Sequence, residues 1–94
     1  MNELHVFSDG TTMVIAKNEE DAIQILNTIP DYVISDFIEQ FPDNQKVEVI
    51  TTDLEINIPD GALYMGRMDE KSQQWQTSAI AWVLANKRGF LGWE

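Results

Sequence analysis

The 94 residues carry 44% hydrophobic side chains and nine aromatics, enough for one folded α+β domain over 1–94 and too few for two cores, which excludes a disordered chain. The absence of cysteine excludes a disulfide framework, a thiolate nucleophile and a thiolate metal site. Sixteen acidic against six basic residues give a net charge of −10, a field that repels phosphate backbones and attracts basic protein surfaces.

That charge is uneven. Residues 1–60 hold thirteen acids and two bases, −11, whereas residues 61–94 hold three acids and four bases, +1. No apolar run approaches the roughly 18 residues of a membrane span. The start Met1-Asn2-Glu3-Leu4 is neither basic nor followed by an apolar signal core, so a cytoplasmic protein without a membrane partner is expected.

In chain order, Val6 and Phe7 precede Ser8-Asp9-Gly10, and Val14 and Ile15 follow it, the pattern of a hairpin around a glycine turn. Asn18 then predicts a helix cap, with Glu19, Glu20 and Asp21 in the first turn, where carboxylates suit the positive helix pole. Ala22, Ile23, Ile25, Leu26 and Ile29 form its apolar stripe. Pro30 should end that helix, and Thr28 with Asp31 predicts the cap of a second one, whose stripe is Val33, Ile34, Phe37, Ile38 and Phe41. A single kinked helix is the alternative.

From Lys46 the period changes to 2. Val47 and Val49, then Leu54, Ile56 and Ile58, alternate with polar residues, and their opposite parity demands a turn or bulge at Thr51-Thr52-Asp53. Pro59-Asp60-Gly61 predicts a second hairpin turn that returns through Ala62 to Met65. Met68 to Gln76 is polar and reads as an exposed connection. Thr77 or Ser78 then caps a helix with Ala79, Ile80, Val83 and Leu84 on its stripe, Lys87 and Arg88 in its last turn, and Gly89 as its terminator. Phe90 to Trp93 reads as a final strand. The expected order is ββααβββαβ, a small antiparallel sheet with helices on one face.

Candidate chemistry is sparse. His5 is the sole histidine, with no cysteine to activate and no serine in a nucleophile elbow. The carboxylates lack calcium-loop spacing, and the scattered glycines form no phosphate cradle. No catalytic, metal or cofactor site is expected, hence no enzyme. What remains is an acidic face from Glu19, Glu20, Asp31, Asp36, Glu39, Glu48, Asp53 and Glu55, against the alternative that caps and solvated faces account for them all. Trp82 reads as core, while Trp75 and Trp93 are candidates for an exposed aromatic contact or a homodimer seam.

The DG hairpin, Val14-Ile15-Ala16, the Glu20-Asp21-Ala22 helix start, and the Trp82 helix running into Arg88-Gly89-Phe90-Leu91 together resemble small acidic uncharacterised proteins of phage and prophage genomes. The likeness covers about a third of the chain and implies no catalytic residues. It implies a binding protein that disables a host defence or nucleic-acid-handling protein, in the anti-CRISPR or DNA-mimic manner, by presenting carboxylates to a basic surface. The rival is a structural or self-associating protein that uses its aromatic final third.

Overall fold

Neighbouring residues of a strand face opposite sides of the sheet, and in His5–Ser8 (β1) and Thr12–Ala16 (β2) both sides are buried. Val6, Met13 and Ile15 belong to one core cluster, and Phe7, Val14 and Ala16 to another. The first pair of strands is therefore covered on both faces. This computed structural model describes residues 3–34, 37–52, 56–67 and 69–94.

The remaining elements are Glu19–Leu26 (α1), Glu39–Phe41 (β3), Lys46–Thr51 (β4), Leu63–Arg67 (β5), Gln73–Ser78 (β6), Ala79–Ala85 (α2) and Gly89–Trp93 (β7). The seven strands form one antiparallel sheet in the order β3-β1-β2-β7-β4-β6-β5, curled into a half-barrel. The α+β class and the antiparallel sheet are as expected.

The helices, however, do not share a face. The α1 residues Ala22, Ile25 and Leu26 pack with Phe7 and Val14, whereas Ala79, Trp82 and Val83 of α2 pack with Val6, Val47, Val49 and Leu91 on the other side. Trp82 is fully buried, and its indole Nε1 donates to the Val47 carbonyl at 3.1 Å, so the tryptophan fixes α2 to β4.

Three local expectations are met. Gly10 takes φ +94 in the first hairpin, a conformation that costs glycine nothing. The Asp21 amide donates to Asn18 Oδ1 at 2.8 Å, and Ser78 caps α2 by accepting from the Ala81 amide.

The expected second helix is not seen among the described residues. Thr28 turns its hydroxyl back to the Ile25 carbonyl instead of capping forward, and Asp31 takes φ +57. Beyond it Tyr32, Ile34 and Ile38 are half-buried against the second cluster, while Val33 and Phe37 are 88% and 66% exposed. That is a period of two. Ile34 and Ile38, four residues apart, satisfy helix and extended chain equally, which is why the sequence misleads here.

The polar connection is also corrected: Gln73–Ser78 is β6, paired on one side with β4 and on the other with β5. The expected strand through Leu54, Ile56 and Ile58 lies partly outside the described residues, and Asn57 and Ile58 are not in a strand. Ile56 and Ile58 pack instead as half-buried cover on the first core. Helix α2 ends at Ala85, short of Lys87 and Arg88. The Asn86 side chain donates to the Trp82 carbonyl, which frees Lys87 and Arg88 from the last turn.

Candidate protein-binding cleft

The site lies along the edge of β4 that faces β7. Its residues from Lys46 to Thr51 all register with β6, but on the opposite edge only Ile50 registers with β7, at Trp93. After Trp93, the Glu94 amide continues the ladder on β2, donating to the Thr11 carbonyl at 3.0 Å. Beside Lys46–Glu48 is a cleft of about 280 Å³ lined by Met13, Phe41, Gln45, Lys46, Val47, Glu48, Gln74, Gln76 and Glu94. A second cleft of about 210 Å³ shares Phe41 and Glu94 with it and adds Ser8, Gly10, Phe37 and Glu39.

Three exposed carboxylates therefore rim adjoining clefts over the apolar Met13 and Phe41. The Glu48 carboxylate accepts from Gln74 Nε2 and Gln76 Nε2 at 3.1 and 3.2 Å, which aligns it on the solvent side of the sheet. Glu39, Glu48 and Glu94 form no ion pair among the described residues. An unpaired carboxylate keeps its full field toward solvent.

The other sequence candidates divide. Glu39 and Glu48 reach the clefts. Glu19 and Glu20 are exposed at the start of α1, beyond the Ala16 end of β2, whereas Glu94 is tied to Thr11 at the other end; β2 spans roughly 16 Å at ~3.3 Å per residue. Asp31 is exposed beside Tyr32, whose hydroxyl donates to Asp9 in the first hairpin. Asp36, Asp53 and Glu55 lie outside the described residues. Trp75 and Trp93 are half-buried rather than free, in edge-on pairs with Tyr64 and Phe90 at 5.1 and 5.0 Å.

Sequence reasoning missed Glu94, Gln45, Gln74 and Gln76. The Gln-x-Gln spacing of 74 and 76 was a usable signal, since alternate polar residues on a strand share one face.

Asp21 serves the fold. Arg88 Nε donates to both of its carboxylate oxygens at 2.9 Å, and this guanidinium, with the Lys17 amide, holds the carboxyl at a pKa of about 2. His5 Nδ1 lies 3.5 Å from Asp43 Oδ1. A further cleft of about 440 Å³ holds Asn57, Asn86, Lys87 and Arg88. Its Arg88 charge is committed to Asp21. No helix among the described residues is long and apolar enough to cross a membrane.

No protein-family model, curated protein or solved structure matches the chain. The geometry of the chain itself therefore carries the functional reading.

Proposed function

We propose that this chain is a non-enzymatic acidic binding protein, phage-encoded as its sequence resemblance implies, that inhibits a host protein handling nucleic acid by occupying its basic surface. The observation that supports this most is the set Glu39, Glu48 and Glu94, exposed and without an ion-pair partner among the described residues, around clefts that share Phe41. Lysine and arginine have apolar stems and charged heads. A cleft with Met13 and Phe41 below and carboxylates at the rim matches both parts. Carboxylates so placed occupy a surface that otherwise receives phosphates, and the −10 net charge steers the encounter.

The test is capture of partners from host lysate at low and high salt, followed by affinity measurement with Glu39→Gln, Glu48→Gln and Glu94→Gln combined. Binding should weaken at least about tenfold in the triple variant, and in the parent as salt rises above physiological strength. Salt-independent binding that survives the triple substitution rejects the reading.

A self-associating role is favoured by one observation: edge strand β5 exposes Leu63, Tyr64 and Met65. Solution mass by light scattering decides it. A mass that does not change with concentration and equals one chain counts against it.

A further inference from the structure

A half-barrel has two margins, here β3 and β5, and an open margin is a row of backbone donors and acceptors that can pair with another chain. The two margins differ. Strand β3 is three residues long, carries the exposed Glu39 and runs into Pro42, the short, charged, proline-ended form that resists pairing. Strand β5 has five residues, and Leu63, Tyr64 and Met65 are exposed in a row. Its bulge, between Tyr64 and Gly66, leaves Leu63 and Tyr64 in regular pairing with Gln76 and Trp75 of β6.

That register shows where the backbone groups of β5 point. Along a strand, the N–H and C=O of alternate residues face opposite edges. The Ala79 amide donates to the Gln45 carbonyl at 2.8 Å, one step beyond the pair Lys46 and Ser78, so Gln73, Trp75 and Thr77 spend their backbone groups on β4 and Gln76 spends its own on Leu63. Tyr64, next along, therefore turns its N–H and C=O toward the open edge.

The charges around this edge are self-complementary. The hairpin from Leu63 to Ser78 holds two acids and two bases, net zero on a molecule of −10, so two copies approach there against the least repulsion. Asp60 lies just before β5 and Arg67 ends it; both are exposed, and neither is in an ion pair among the described residues. Within one chain they are roughly 20 Å apart at ~3.3 Å per residue. A second copy running antiparallel sets the Arg67 end of each strand beside the Asp60 end of the other.

We infer that two copies of this chain associate edge to edge through β5, antiparallel about a twofold axis near Leu63 and Tyr64, so that the sheet of one continues into the other. Cross-strand neighbours share a face. Tyr64, edge-on to Trp75 at 5.1 Å, then meets the same aromatic pair of the other copy, while Leu63 meets its counterpart on the opposite face. This names the strand and the symmetry of the self-associating role, and it does not depend on the acidic clefts.

Sedimentation equilibrium of the full chain, from low micromolar to near-millimolar concentration, should show the mass rising from one chain to two. The Tyr64 amide proton should gain exchange protection over the same range. Tyr64→Lys places two like charges at the axis and should hold the mass at one chain, with the melting temperature of dilute protein unchanged. Asp60→Arg turns two attractions per dimer into repulsions and should weaken association about tenfold, and adding Arg67→Asp, which restores opposite signs across the seam, should recover it. If Tyr64→Lys does not fold, the charge reversal and its rescue still decide. A single-chain mass throughout overturns the inference together with the self-associating role. A dimer that tolerates Tyr64→Lys and is indifferent to both charge variants overturns the β5 seam alone.

Discussion

At the scale of single residues, Gly92 is the tightest position. A Cβ there would lie 2.5 Å from Val49 Cγ1 and 2.6 Å from the Ile50 carbonyl oxygen, so only glycine lets β7 come this close to β4. Gly92→Ala should cost about 1–3 kcal/mol by chemical denaturation; an unchanged midpoint would show that the strands can part freely. Tyr32 and Asp9 form a second sensitive point. The Asp9 Oδ1 accepts from the Thr11 and Thr12 amides while its other oxygen accepts from the Tyr32 hydroxyl, which ties the segment after α1 to the first hairpin. Burial, with Asp9 second, pushes the Tyr32 pKa above 10. A raised phenol pKa means stability present below pH 10 and lost as pH rises through the folded value. The stability gap between parent and Tyr32→Phe should therefore narrow in melts taken at increasing alkalinity. Asp21 works in the opposite sense. Its carboxyl is held down at about 2 from 3.8 by Arg88, so its contribution is present above pH 3.8 and fades between there and pH 2. Melts of the parent and of Asp21→Asn should converge across that window and stay apart above it.

At the scale of elements, β6 carries the sharpest prediction. A proline in an exposed connection is harmless, but in a strand bonded on both sides it removes a ladder hydrogen bond and costs about 3 kcal/mol or more. Gln74→Pro should unfold the outer half of the sheet, seen as loss of the strand signal in circular dichroism. The reason β6 was illegible in the sequence is physical. Hydrophobic periodicity records burial, and β1 and β2, sandwiched between α1 and α2, display it on both faces. Strand β6 has its Gln74 and Gln76 on a solvated face with Glu48, and only Trp75 marks its other side. The same logic explains the cleft. Glu39 and Glu48 were legible as exposed acids on either reading of their segment, but the clefts that unite them with Glu94 depend on how β7 is set against β2 and β4. That is a matter of long-range register, and no local pattern encodes it. The hairpin and both helix caps, by contrast, are contacts between residues two to four apart, and they were legible.

For the whole molecule, the sheet consists of two parts, β3-β1-β2-β7 and β4-β6-β5, joined among the described residues by the register pair Ile50 and Trp93 and bridged by Trp82. Native-state exchange should find amides of β5 and β6 opening together, at lower cost than those of β1 and β2, because units with fewer buried contacts open first. Uniform exchange across both parts would reject this division. The acidic surplus of residues 1–60 is spread over both parts, so added salt should stabilise the whole protein by relieving self-repulsion even as it weakens partner binding.

The position of β7 has a consequence for biosynthesis. It runs from Gly89 to Trp93, is made after β1 to β6, and lies at the middle of the sheet. A nascent chain can close the first hairpin and α1 as they emerge, since their contacts are local, but β2 and β4 cannot be joined until residues 89–93 have cleared the ribosome. Until then both present bare edges, the surfaces most prone to pairing with neighbouring chains. A ribosome stalled before codon 89 should hold a chain whose β2 and β4 edges are bare and sticky, and emergence of β7 is the event that commits the molecule to its native sheet.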